Sequence, residues 1–186
     1  MRLYIIHRWD GSPTADWYQW LKKELEQKGW EVHIPAMPNP AKPEIDAWIN
    51  HLKKVVEKPD ANTFFIGHSI GCQTIMRYLS ALPKQTKIGG ILFVAGWLTL
   101  QHLETEEEKN LAESWLTTSI DFQKVKEKFN NIVAVFSTND PYVPLKENVA
   151  LFKKHLNVRI IIEEKKGHYN KKRYPEFLKL IEELKS

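Results

Sequence analysis

The sequence has a single cysteine, Cys72, and no apolar run as long as a membrane span. One cysteine excludes an intramolecular disulfide and any multi-cysteine metal site, and it suits a reducing compartment. The apolar residues at the start of the chain are too few for a secretory signal, and no other run approaches the roughly 20 apolar residues that cross a bilayer. We therefore expect a cytoplasmic protein with no membrane partner.

Signals for a metal, a cofactor or a nucleic acid are also missing. No histidines and carboxylates stand at metal-ligand spacing, and no glycine-rich phosphate loop follows the first predicted strand. The net charge is +4, but the 27 Lys and Arg residues are interleaved with 23 Asp and Glu residues. A local basic excess from Lys165 to Arg173 has no nucleic-acid-binding motif beside it. The sequence thus predicts no metal, no cofactor and no nucleic-acid partner.

The 186 residues, 42% of them hydrophobic, suit one globular domain over residues 1–186. Short β-branched or aromatic runs alternate with segments of helical period, which is typical of βαβ units on a parallel sheet. The predicted strands are Leu3–His7, Glu31–Ile34, Thr63–Gly67, Gly90–Ala95, Ile132–Ser137 and Val158–Ile162. The predicted helices are Ala15–Lys28, Pro43–Glu57, Gly71–Leu82, Phe122–Phe129, Leu145–Leu156 and Pro175–Lys185. The sequence predicts an α/β fold with about six parallel strands and helices on both faces.

The segment Trp97–Thr118 fits this alternation less well, because it is long and acidic and lies between a strand and the next helix. Loops of this length in compact domains are often functional. We expect a short helical excursion that covers the mouth of an active site.

The strongest chemical signal is the pentapeptide Gly67-His68-Ser69-Ile70-Gly71 between a predicted strand and a predicted helix. A G-x-S-x-G pattern in this context exposes the serine on a sharp strand-to-helix turn. The N-terminus of the following helix favours developing negative charge, so the Ile70 N–H is a candidate oxyanion donor. The alternative is a purely structural role, in which Ser69 caps the helix in a glycine-flanked turn. The context favours Ser69 as a nucleophile.

A serine nucleophile needs a base, and the base needs a third group to orient it. In this kind of site the acid and then the histidine follow the serine, each in a loop after a strand. Asp140 and His168 have this order and position, and no other histidine has both. Asp60 and Asp121 compete with Asp140 but precede a strand or a helix, as turn or cap residues do. Parallel strands bring such loops to one edge of the sheet, so the three side chains are expected to converge.

Five segments together resemble the small serine hydrolases related to retinoblastoma-binding protein nine and its bacterial relatives. They are Gly67-His68-Ser69-Ile70-Gly71, Met37-Pro38-Asn39-Pro40, Trp17-Tyr18-Gln19-Trp20-Leu21, Ser137-Thr138-Asn139-Asp140-Pro141 and Gly167-His168. The resemblance implies a compact α/β-hydrolase fold with a minimal cap, and a triad at Ser69, Asp140 and His168. The Leu-x-Cys-x-Glu stretch that binds retinoblastoma protein in the human relative is absent, so that partner is not carried over.

The loop after the first strand departs from the bacterial pattern His-Gly-x-Gly-Gly-Ser-Pro, because Arg8 and Asp10 replace two glycines. By resemblance the Trp9 N–H is the second oxyanion donor, and the two replacements affect its geometry if they stand where a positive φ is needed. We assign Arg8, Asp10 and His68, which adjoins the nucleophile, to substrate binding. The alternative is that Arg8 and Asp10 are ordinary loop residues.

These residues predict a serine hydrolase, a carboxylesterase or peptidase-like enzyme, that cleaves a small ester, thioester or amide through an acyl-enzyme on Ser69. General-base help contributes about 10²–10⁴ in rate, and each good oxyanion donor about 10²–10³. A binding protein that kept the fold but lost catalysis through its first loop is the alternative, because a fold does not determine a function.

Overall fold

The computed structural model describes residues 1–185 and has one six-stranded parallel sheet with the order β2-β1-β3-β4-β5-β6. The strands are β1 (Arg2–Ile6), β2 (Glu31–His33), β3 (Thr63–His68), β4 (Gly90–Val94), β5 (Asn131–Ser137) and β6 (Arg159–Glu163). All five neighbouring strand pairs are parallel. The predicted α/β fold with six parallel strands is confirmed.

Helices cover both faces of this sheet. They are α1 (Tyr18–Glu26), α2 (Ile45–Val55), α3 (Ile70–Ser80), α4 (Glu106–Thr117), α5 (Phe122–Lys126), α6 (Leu145–Leu156) and α7 (Glu176–Glu183). Among residues 1–185, no helix is long and apolar enough to cross a membrane.

The side chains of the central strands alternate between two apolar clusters, one on each face. In β3, Phe64 and Ile66 pack with residues of α1 and α7, whereas Phe65 packs with residues of α2 and α3. Successive side chains of a strand point to opposite faces, and here both faces are buried, so the strands read as continuous apolar runs. This packing fixes the strand ends from which the loops of the site project.

The segment Trp97–Thr118 contains more helix than the sequence indicated. Its second half is the 12-residue helix α4, which begins at a capping box between Thr105 and Glu108. Its first half is a loop beside the carboxyl end of β4.

Candidate active site

Ser69 lies on a sharp turn between β3 and α3, with φ 56° and ψ −119°. This positive φ is unfavourable for a residue with a side chain and persists only where the surroundings enforce it. The flanking glycines allow the turn, since a Cβ on Gly71 would lie 2.3 Å from the carbonyl oxygen of Ile6 and one on Gly67 would lie 2.7 Å from backbone atoms of Cys72. The predicted strand-turn-helix context of Ser69 is therefore present.

His168 and Asp140 meet at the same edge of the sheet. The distance between His168 Nδ1 and Asp140 Oδ2 is 2.8 Å, and both residues are buried. The other carboxylate oxygen, Oδ1, accepts hydrogen bonds from the backbone N–H groups of Tyr142 and Val143 at 3.0 and 3.2 Å. Since a carboxylate accepts only, His168 carries its proton on Nδ1, and Nε2 is left with a free lone pair.

The loop that carries His168 is held against the loop that carries Asp140 by two side chains, one from the last residue of β5 and one from the Asp140 loop. Asn139 Oδ1 accepts a hydrogen bond from the Gly167 N–H at 2.8 Å, and Ser137 Oγ accepts one from the Lys166 N–H at 2.9 Å. Gly167 has a φ of +61°, which suits glycine. Sequence reasoning noted this segment for Asp140 but missed that Ser137 and Asn139 orient the base.

Ser69, His168 and Trp97 line a cavity of about 300 Å³, and so do Arg8, Trp9, Asp10, Leu100, Leu103, Glu108, Tyr142 and Asn170. The expectation that Trp97–Thr118 lies over the site agrees with this lining, because four of these residues come from that segment. The wall is therefore mixed, with apolar and aromatic side chains from Trp9, Trp97, Leu100, Leu103 and Tyr142 and charged groups from the loop after β1 and from α4.

The Trp97 side chain contacts the candidate nucleophile directly, which the sequence did not indicate. Its indole N–H donates a hydrogen bond to Ser69 Oγ at 3.2 Å, and Trp97 is 1% exposed. Within residues 1–185, the Ser69 hydroxyl makes this bond and none with the His168 ring. Catalytic hydrogen bonds are often long or poorly aligned in the absence of substrate, so the lack of a Ser69–His168 bond does not exclude His168 as the base.

The loop after β1 keeps a compact turn although two glycines are replaced. Asp10 has a φ of +50°, which lies in the left-handed region. Residues with a side chain rarely adopt this conformation, but Asp tolerates it better than most. The Arg8 guanidinium pairs with Asp16, with Nε and Oδ2 2.8 Å apart, and also donates to the Trp9 carbonyl at 2.9 Å. The Asp10 N–H donates to the Pro40 carbonyl at 2.8 Å. Arg8 and Asp10 both line the cavity, and Arg8 also stabilises the loop.

The two expected oxyanion donors are the backbone amides of Trp9, which lines the cavity, and of Ile70, which follows Ser69. Among residues 1–185, the backbone N–H groups of Trp9 and Ile70 have no acceptor within the protein. Ile70 is the first residue of α3, where backbone N–H groups are free and the helix dipole favours negative charge. Both amides are thus free to donate to a ligand.

His68 lies outside the cavity, which does not fit the expectation that it binds substrate. It is fully buried, with Nδ1 2.6 Å from the Tyr18 hydroxyl and Nε2 2.8 Å from the His168 carbonyl oxygen. Burial lowers the pKa of His68 well below its usual value, and the neighbouring His168 lowers it further. Its side chain faces the protein interior because alternate residues of β3 point to opposite faces of the sheet.

Comparison with known proteins gives one family. A family model described as serine hydrolase matches residues 3–182. YdeN of Bacillus subtilis is 33% identical over 147 residues, which cover 77% of this chain and 73% of YdeN. The rat serine hydrolase RBBP9 is 23% identical over 172 residues, with 92% and 87% covered.

Solved structures of other proteins have the same fold. The YdeN crystal structure matches with a TM-score of 0.88 and 28% identity, over 98% of this chain and 97% of YdeN. Est1E from Butyrivibrio proteoclasticus matches with a TM-score of 0.72 over 99% of this chain and 85% of its own, but at 17% identity it supports the fold alone.

Proposed function

The chain belongs to the serine hydrolase family and is a serine hydrolase, and we propose that it cleaves a small ester, thioester or amide through an acyl-enzyme on Ser69. The observation that carries this proposal is the 2.8 Å contact between His168 Nδ1 and Asp140 Oδ2 beside a cavity lined by Ser69. A buried carboxylate that holds the ring in this tautomer leaves Nε2 available as a general base.

In the proposed reaction, Ser69 Oγ attacks the substrate carbonyl carbon while His168 Nε2 takes the hydroxyl proton. The carbonyl oxygen becomes an oxyanion that accepts hydrogen bonds from the Trp9 and Ile70 N–H groups. The tetrahedral intermediate then loses the alcohol, thiol or amine, which receives its proton from His168. Water, deprotonated by the same ring, attacks the acyl carbon, and His168 then returns this proton to Ser69 Oγ as the acid is released.

The Trp97 N–H adds a donor to this scheme that acts on the nucleophile itself. A hydrogen bond donated to Oγ favours the form of that oxygen with more negative charge. Oγ gains such charge when the proton leaves it and again when the acyl-enzyme breaks down. The indole is therefore proposed to stabilise the serine oxygen in both half-reactions.

The size of the cavity favours a small acyl group over a polymeric substrate. A volume of about 300 Å³ is at the lower end of the range for small-molecule sites. Aromatic and aliphatic walls from Trp9, Trp97 and Leu100 suit an apolar acyl chain. We therefore expect highest kcat/KM for esters with short to medium apolar acyl groups.

A fluorophosphonate probe tests the proposed nucleophile. We expect covalent labelling of the wild-type protein, no labelling of Ser69→Ala, and full labelling of Ser114→Ala, which removes an exposed serine of α4. Intact mass spectrometry measures the adduct, and circular dichroism verifies that all three variants fold. Equal labelling of Ser69→Ala, or none of the folded wild type, would contradict the proposal, and the second result would favour a binding protein.

A further inference from the structure

A continuous set of three hydrogen bonds, two of them buried and one partly buried, connects the loop after β1 with the loop that carries His168. The Arg8 N–H donates to the Tyr18 hydroxyl oxygen at 3.2 Å, and that hydroxyl lies 2.6 Å from His68 Nδ1. On the other side of the ring, His68 Nε2 lies 2.8 Å from the carbonyl oxygen of His168. We call this set of three hydrogen bonds the Tyr18–His68 bridge.

The chemistry of the partners fixes every proton in the bridge. A carbonyl oxygen only accepts, so His68 carries a proton on Nε2. The ring is neutral in its fully buried position, so Nδ1 is an acceptor and the Tyr18 hydroxyl must donate to it. The hydroxyl oxygen is then free to accept the Arg8 N–H. Asp16 lies 4.0 Å from His68 Nδ1 but already pairs with Arg8, so it does not draw a second proton onto the ring.

We propose that Tyr18 and His68 are positioning residues that hold the Trp9 amide and the His168 ring in a fixed relation through this bridge. The inference rests on the proposed function, because it assigns these two groups as oxyanion donor and general base. Arg8 precedes Trp9, so a bond to the Arg8 N–H restrains the peptide that leads to the oxyanion donor. A bond to the His168 carbonyl restrains the backbone of the general base.

The bridge also explains why an aromatic pair stands at the start of α1. Trp17 and Tyr18 are both fully buried, and the Trp17 ring packs at 5.0 Å from Phe177 and at 5.7 Å from His68. The Trp17 ring therefore packs beside the imidazole, tilted by 40°, while Tyr18 forms a hydrogen bond to its Nδ1. This part of α1 supports the site without reaching the cavity.

Positioning of this kind should affect turnover more than binding. Hydrogen-bond donors and general bases are most effective when they are held in place before the reaction, and small displacements of either lower the rate. Loss of the bridge leaves both groups present but less well placed. We therefore expect kcat to fall while KM for a small ester changes little.

The test compares Tyr18→Phe with Tyr78→Phe. Both replacements remove one buried hydroxyl, but Tyr78 donates to the Val56 carbonyl, far from the site. We expect Tyr18→Phe to lower kcat about 10-fold, with KM within about twofold, and Tyr78→Phe to leave both unchanged. Comparable losses of thermal stability in the two variants would show that destabilisation does not cause the difference. A kcat of Tyr18→Phe within twofold of that of Tyr78→Phe would overturn the proposal.

A second pair of variants applies even if Tyr18→Phe fails to fold. His68→Gln retains an N–H for the His168 carbonyl, whereas His68→Leu removes both bonds. We expect kcat of His68→Gln to exceed that of His68→Leu about fivefold or more. Equal kcat values would overturn the proposal. Absence of fluorophosphonate labelling in the wild type would instead contradict the proposed function, so the two failures are distinguishable.

Discussion

The two halves of the candidate site are held in place by different means. In the first half, Asp140 and His168 act through their side chains, and the bonds that orient the carboxylate come from neighbouring backbone amides. In the second half, the loop after β1, a backbone amide is the proposed chemical group, and the Arg8 side chain holds the loop through an ion pair and a carbonyl. The residue types are thus dictated by chemistry in the first half and by conformation in the second.

This difference explains how two glycines of the related bacterial pattern can be absent while the turn remains. A loop that contributes only an amide accepts any residues that keep that amide in place. Asp10 adopts the positive φ that a glycine would adopt, and Arg8 adds bonds that a glycine could not make. Substitutions in the two halves should therefore differ sharply in their effect.

The largest effect is expected for Asp140→Asn in the first half. Asn keeps an oxygen for the Tyr142 and Val143 amides, but its NH₂ group would face His168 Nδ1 and favour the wrong tautomer. We expect kcat to fall about 10⁴-fold with little change in folding. Steady-state ester hydrolysis measures this loss.

The matched control is Asp121→Asn, which replaces the N-cap of α5 with an equally good cap and should leave activity unchanged. A loss of less than about 10-fold in Asp140→Asn would contradict the assignment of Asp140 as the orienting acid.

In the second half, Arg8→Gly restores the glycine of the bacterial pattern but should still impair the protein. It leaves Asp16, whose side chain is 7% exposed, without its cation. Because Arg8 itself is one quarter exposed, we expect a loss of about 1–3 kcal/mol in the free energy of unfolding, below that for a fully buried pair. A fall in kcat of about 10-fold should accompany it, since the Trp9 amide loses support.

Urea unfolding of Arg8→Gly, Asp16→Ala and the double variant measures the coupling. The double variant should recover part of the stability lost in Arg8→Gly, because no buried charge is then unpaired. Full stability and activity of Arg8→Gly would show that the ion pair does not hold the loop.

The sequence could predict those parts of the fold and site that depend on local features of the chain. The six strands were predictable because both sheet faces are buried, so each strand is a short apolar run between turn residues. Asp140 and His168 were placed by their order and by the strand ends that they follow, both of which are local features of the sequence. Predicted strand ends differ from the observed ones by at most one residue, as for β1 at Arg2–Ile6.

Contacts between distant segments could not be predicted in this way. His68 bonds to Tyr18, 50 positions away, and to His168, 100 positions away. Nothing in the neighbourhood of His68 distinguishes a ring that faces the interior from one that faces substrate, and the register of β3 decides between them. The bond between Trp97 and Ser69 depends likewise on how the loop after β4 folds back over the turn.

A smaller effect is expected for Trp97→Phe, which changes a single bond to the candidate nucleophile between the two halves. The ring and the cavity wall remain, but the donor to Ser69 Oγ is lost. We expect kcat/KM to fall about 3- to 10-fold, the value of one neutral hydrogen bond. Trp115→Phe is the control, because its indole N–H donates to the Pro43 carbonyl away from the site. A faster Trp97→Phe enzyme would show that the indole restrains the nucleophile instead of assisting it.

The smallest effect is expected for Asp10→Gly, which separates the conformation of the loop from its charge. Glycine adopts a positive φ without strain but is more flexible when unfolded, so we expect stability within about 1 kcal/mol of wild type and kcat within about twofold. Asp10→Asn keeps a residue that tolerates this conformation and removes the charge, while Asp10→Val should destabilise the turn because a branched side chain rarely adopts it. If Asp10→Gly and Asp10→Asn both change the preference between cationic and neutral esters while Asp10→Val alone loses stability, the carboxylate selects substrate and the backbone holds the turn. An unchanged preference in both variants would leave Asp10 a purely conformational replacement for glycine.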